Sequence, residues 1–156
     1  MKIQTIVVAT DLSPASLPAV RHACQLADQF HAQLHVVHVA MLPFVEYMEQ
    51  VQTDFSQSID ECERQHVEAS RRQLQSLATT AVHPDRVTRV VLQGIPVEQL
   101  LKYVSSHAAD LLILGTHGHS GLRHALLGST AERLVREARC PVLTIRHESD
   151  STEQAA

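Results

Sequence analysis

The chain has 156 residues, a formal net charge of −4, and a composition that is 44% hydrophobic, 19% charged and only 3% aromatic. This argues against a disordered or membranous chain and predicts an aliphatic core. It also argues against a nucleic-acid binder, which needs a basic surface.

The first predicted element is a strand over Ile3–Ala9, apolar and rich in β-branched residues, as expected for a strand buried on both faces of a parallel sheet. Thr10-Asp11-Leu12-Ser13-Pro14 ends it. Ser13 is placed to cap the following helix, with Pro14 at a first helical position. Leu17, Val20, Ala23, Cys24, Ala27 and Phe30 recur at helical spacing. A second strand spans Gln33–Ala40. From Phe44 to about Leu77 the apolar steps of three and four predict a helix, broken once at most, with a polar outer face. Val87–Leu92 is a third strand, closed by Gly94. Pro96 opens a helix carrying Val97, Leu100, Leu101 and Val104 on one face. Leu111-Leu112-Ile113-Leu114 is a wholly apolar fourth strand. Gly128-Ser129-Thr130 opens a last helix, and Pro141–Ile145 is a fifth strand.

Alternation of strands and helices predicts an α/β fold: one doubly wound domain with a five-stranded parallel sheet flanked by helices on both faces. We expect 1–147 to form this domain and 148–156 to be a polar tail. The three cysteines, Cys24, Cys62 and Cys140, show no CxxC spacing and fit free thiols in a reducing compartment. No apolar run has the length of a signal-peptide core or a membrane span. The expected location is the cytoplasm, with no membrane and no nucleic acid as partner.

In a doubly wound sheet ligands bind beyond the carboxyl ends of the strands. Two segments qualify: Thr10-Asp11 after the first strand, and the glycine-containing loop after the fourth. That loop holds Gly115, Gly118 and Gly121 and leads to Gly128, where unpaired helix N–H groups and the hydroxyls of Ser129 and Thr130 suit a phosphate. Neither a GxxxxGK[ST] loop nor a glycine-rich first turn is present. Arg123 either reaches a phosphate or is solvated. Asp11 either accepts hydrogen bonds from a ribose or serves as a turn residue. His117, His119 and His124 share no recognised zinc spacing, and His35 and His38 should point to opposite faces of their strand. No GxSxG elbow supports a hydrolase triad.

Gly115-x2-Gly118-x9-Gly128-Ser129 resembles the G-x2-G-x9-G-[S/T] nucleotide signature of the universal stress protein family. Ile6–Ser13, Ala109–Gly118 and Cys140–Ile145 resemble the family's opening strand and turn, fourth strand and closing strand, so the likeness runs from about Ile3 to Arg146. The resemblance implies a Rossmann-like fold of the adenine-nucleotide α-hydrolase type, and ATP or a related adenine nucleotide with Mg²⁺. It implies a homodimer paired through Val142–Ile145. It places Asp11 at the ribose or adenine side, and Ala9, Thr10, Val39 and Leu114 around the adenine. Gly115, His117 and Gly118 would flank the ribose and α-phosphate, and Gly128, Ser129 and Thr130 the outer phosphates.

The resulting reading is a stress-response module, not a dedicated catalyst, whose loop from Thr116 to Leu127 stiffens when nucleotide binds. One alternative is a slow ATPase or phosphotransfer enzyme, disfavoured because the loop holds no lysine to neutralise a γ-phosphate. The other is a dimeric interaction protein that binds no nucleotide.

Overall fold

The structure is a computed structural model. It describes residues 2–41, 56–116 and 127–146, with the backbone alone for 56–60 and 62. The strands are β1 (Thr5–Ala9), β2 (Gln33–Ala40), β3 (Val87–Gln93), β4 (Leu111–Gly115) and β5 (Val142–Ile145). The helices are α1 (Leu17–Gln29), α2 (Ser56–Ser76), α3 (Pro96–Ser106) and α4 (Ser129–Glu137). The strands form one sheet in the order β3-β2-β1-β4-β5, with every neighbouring pair parallel.

The apolar runs are central because both faces of the sheet are covered. Ile6, Val8, Leu34, Val36 and Ile113 pack under α1 and the Leu74 end of α2. Val7, Val37, Leu112 and Leu114 pack under α3 and α4. Adjacent residues of β1 therefore serve opposite cores, and a one-residue slip in register would exchange them. The expected doubly wound sheet is present. The part of the predicted second helix before Ser56 and the tail after Arg146 lie outside the described residues.

Phe30 does not join the apolar face of α1. It is the residue just past the last turn and is 44% exposed. The chain turns there through His31, at φ 53°, while the Ala32 N–H donates to the Ala27 carbonyl at 2.8 Å. α3 ends the same way, with Ala108 at φ 46° and the Ala109 N–H on the Val104 carbonyl at 3.0 Å. Both are Schellman ends with a residue other than glycine in the left-handed position. A Cβ is unfavourable there, so Ala108→Gly should raise unfolding stability by about 1 kcal/mol, read by urea denaturation. Gly94, at φ 121°, is the glycine that the turn from β3 into α3 requires.

Asp110 ties the start of β4 to β1. Its Oδ2 accepts from the Gln4 and Thr5 backbone N–H groups at 2.7 and 2.9 Å. The Gln4 bond, then the Thr5 bond, holds the carboxyl below the usual carboxylate range. A depressed carboxylate contributes stability above its unfolded pKa and loses it as pH falls through the folded one. Asp110→Asn should therefore be less stable than the parent at pH 7, by about 1 kcal/mol. Denaturation at a series of pH values should show that gap closing below about pH 4.

Candidate functional site

The strand order reverses beside β1, which has β2 on one side and β4 on the other. A crevice beyond the strand ends is expected at such a point. A cavity of about 550 Å³ lies there. Three of its walls come from the strands and the turns after them: Ala9 at the end of β1 with Thr10 and Asp11 after it, Val39 on β2, and Leu114 and Gly115 on β4. A fourth is the start of α4, with Gly128, Ser129 and Thr130. The residues singled out in the sequence thus meet around one cavity, except His117 and Gly118, which lie outside the described residues.

The turn after β1 is held by its own polar groups. The Asp11 Oδ1 accepts from the Ser13 N–H at 3.0 Å and from the Ser13 hydroxyl at 2.6 Å. Ser13 occupies the cap position before Pro14 but makes no side-chain cap bond, because its hydroxyl goes back to Asp11. The Ser16 hydroxyl donates to the Ser13 carbonyl at 2.9 Å, which leaves Thr10 as the donor in the 2.8 Å bond between the Thr10 and Ser16 hydroxyls. Thr10 Oγ1 also accepts from the Leu12 N–H at 3.0 Å. The proton of the buried Thr10 hydroxyl is therefore committed inside the turn. Leu12 sits at φ 64°, a left-handed conformation that costs a non-glycine residue about 1–2 kcal/mol. Asp11 is thus a turn residue that also stands on the cavity wall.

α4 starts against β4. The Gly128 N–H donates to the Thr116 carbonyl at 2.8 Å, and the Thr116 N–H donates to the Ile145 carbonyl at 2.9 Å. The helix cap is Gly128 itself, so Ser129 and Thr130 are the first two helical residues and not caps. Gly128 has no side chain to occupy the helix start, and the first N–H groups of α4 have no partner within the helix. Together they carry the positive end of the helix dipole into the cavity wall. Among the described lining residues there is no Lys or Arg.

The structure adds residues that the sequence pattern alone leaves on a solvated helix face. His66, Ser70 and Gln73 of α2 line the cavity, as do His38 and Met41. His38 Nδ1 lies 2.9 Å from the Thr10 carbonyl, which requires the proton on Nδ1. The signal available in the sequence was the spacing of uncharged polar residues beside the buried Val67 and Leu74.

His35 faces the other side of the sheet from His38, as expected, with its Nδ1 3.0 Å from the Tyr103 hydroxyl. Burial, then the neighbouring His107, pushes its pKa down. The His107 ring stacks on Tyr103 at 3.9 Å. Among the described residues no group of three or more His, Cys, Asp and Glu is placed to hold a metal ion. His117, His119 and His124 lie outside them.

The family model described as "Universal stress protein family" matches residues 2–146. The chain belongs to the universal stress protein family. Among curated members of that family, a universal stress protein of Methanocaldococcus jannaschii is 30% identical over 142 residues, covering 90% of this chain and 81% of that one. The universal stress protein A homolog 1 of Coxiella burnetii is 33% identical over 146 residues, covering 93% and 97%. Among solved structures, the universal stress protein UspA of Lactobacillus plantarum superposes with a TM-score of 0.71 at 26% identity, covering 94% of this chain and 99% of that one. A universal stress protein solved in complex with cAMP gives 0.61 at 25% identity, covering 94% and 98%. Among the described residues of this family member, no helix is long and apolar enough to cross a membrane.

Proposed function

We propose that this universal stress protein is an adenine-nucleotide-binding regulatory module of the stress response, working in the cytoplasm and not as a dedicated catalyst. The observation that carries this reading is the meeting of the α4 N-terminus with the ends of β1, β2 and β4 around one cavity. Phosphates would lie against Gly128, Ser129 and Thr130, where N–H groups and hydroxyls converge. The ribose would lie near Asp11, and the adenine among Ala9, the Thr10 backbone, Val39 and Leu114, beside Gly115. His117 and Gly118 would flank the ribose and α-phosphate, as the family resemblance implies. The complex of another family member with cAMP supports an adenine nucleotide as the ligand class. The cavity wall offers no described cation, so Mg²⁺ arriving with ATP would supply the charge that balances the phosphates. The same lack speaks against rapid γ-phosphate transfer.

Because Thr116 and Gly128 are bonded to each other, a phosphate at α4 acts on both ends of the segment joining them. That segment is the module's means of reporting occupancy. A homodimer through Val142–Ile145 belongs to this proposal, since within the described residues β5 pairs with β4 alone and keeps its outer edge open. The free thiols Cys24 and Cys140 fit a reducing cytoplasm.

Calorimetric titration with ATP and Mg²⁺, alongside AMP, cyclic AMP and GTP, tests the reading. Micromolar binding of an adenine nucleotide is expected. A folded protein that binds none of them would leave the nucleotide-free interaction protein as the account.

A further inference from the structure

Three rings lie together outside the cavity. His35 on β2 is half-buried against α3, which covers it with Tyr103 and His107. The His35 ring meets Tyr103 edge-on at 5.8 Å between centroids and His107 edge-on at 5.4 Å, while Tyr103 and His107 stack at 3.9 Å. These rings join the middle sheet to the last turn of α3.

The hydrogen bonds decide which protonation state completes the cluster. Tyr103 is buried, and its hydroxyl lies 3.0 Å from His35 Nδ1. With His35 neutral and its proton on Nε2, Nδ1 accepts the phenol proton. With His35 protonated, both ring nitrogens are donors, and the phenol proton has no other acceptor among the described residues. His107 Nδ1 donates to the Tyr103 carbonyl at 2.9 Å, which holds the second imidazole in place over the tyrosine.

Nothing nearby compensates a charge on His35. Its register neighbours are Val7 on β1 and Thr88 on β3. Arg89, next along β3, turns to the other face and donates to the Leu77 carbonyl and the Thr79 hydroxyl. From α3 the titratable groups in contact are Tyr103 and His107, and an imidazolium at His107 repels one at His35. On the same helix Glu98 lies in the first turn, at the far end, and Lys102 is exposed. Asp110, the first acid after α3, is taken by the Gln4 and Thr5 N–H groups. Among the described residues no ion pair reaches any of the three rings. The turn they hold is also followed by Ala108 in its unfavourable left-handed conformation.

We propose that His35, Tyr103 and His107 form an acid-sensitive latch, which holds the last turn of α3 on β2 while His35 is neutral and releases it when His35 is protonated. The unfolded or released chain takes up this proton before the latched one does. Stability of the turn therefore falls as pH drops through about 6.5, the ordinary histidine value, and levels off below the lower value of the latched state. The latch stands at the other end of α3 from Pro96, which lines the cavity, so it does not depend on the nucleotide reading.

Amide hydrogen exchange followed by NMR tests this, expressed as protection factors to remove the intrinsic pH dependence of exchange. The His107 N–H donates to the Tyr103 carbonyl and the Ala109 N–H to the Val104 carbonyl, so these two amides report the turn. Between about pH 7.5 and about pH 5.5 they should lose protection in the parent, while the Leu112 and Ile113 amides of β4 keep theirs. His35→Gln retains a group that can accept the phenol proton and cannot be charged, so its turn should keep its protection at both pH values. In His107→Ala the His35 ring-proton titration should move to higher pH than in the parent, because one neighbouring charge is gone. Protection that does not fall in the parent, or that falls equally in His35→Gln, overturns the proposal. If His35→Gln does not fold, a His35 titration that His107→Ala leaves unmoved overturns it.

Discussion

Gly128→Val should abolish the proposed ATP binding and leave the fold intact. Gly128 caps α4 at φ −68° and ψ 153°, an extended conformation open to any residue, so a side chain there is not strained by the backbone. Its N–H bond to the Thr116 carbonyl survives the change, since valine keeps the donor. What changes is space: branched carbons appear on the wall where the first N–H groups of α4 meet the cavity. An anion held by those groups then loses close approach, and the desolvated helix end gains nothing in return. Calorimetry should find no measurable ATP binding, while the urea midpoint moves by no more than about 1 kcal/mol in free energy. Parent-like binding by this variant would remove α4 from the site.

The largest effect on stability is expected at Leu112. The residue is wholly buried on β4, between Val7 on β1 and Val142 on β5. Its side chain belongs to the core under α3 and α4, together with Leu100 and Leu134. Leu112→Ala removes apolar volume from a site with rigid strands on both sides, so the cavity left behind has little means to collapse. The cost should be about 4 kcal/mol, with a fall in Tm of roughly 10 °C. A loss under about 1 kcal/mol would mean that the two helices close over the gap.

The residues disclose part of this by themselves. Leu111–Leu114 could be read as a doubly buried strand because no polar residue interrupts it, and α1 and α3 because their apolar residues keep one helical face. Strand order was not legible, since every strand is apolar enough to be central; the reversal beside β1 comes from how the crossovers pack. The glycine spacing brought Gly115 and Gly128 to attention, and the structure puts both on one cavity. The direction of the Thr10–Ser16–Ser13 hydroxyl chain depends on three-dimensional proximity, so no sequence pattern encodes it. Nor does the sequence reveal that Gly128, the cap of α4, donates its N–H to the Thr116 carbonyl. Ser70 and Gln73 read as solvated residues on the polar side of a long helix, and only the placement of α2 over the β2 end turns that side toward a cavity. The left-handed His31 and Ala108 went unread for a related reason: the usual sign of a Schellman end is glycine, and neither position has one.

The most direct test of the central claim is a crystal structure of the protein grown with ATP and Mg²⁺. The triphosphate is expected within hydrogen-bond distance of the Ser129 and Thr130 N–H groups, and the base among Ala9, Val39 and Leu114. Nucleotide bound with its base against α4, or anywhere outside this cavity, would contradict the claim.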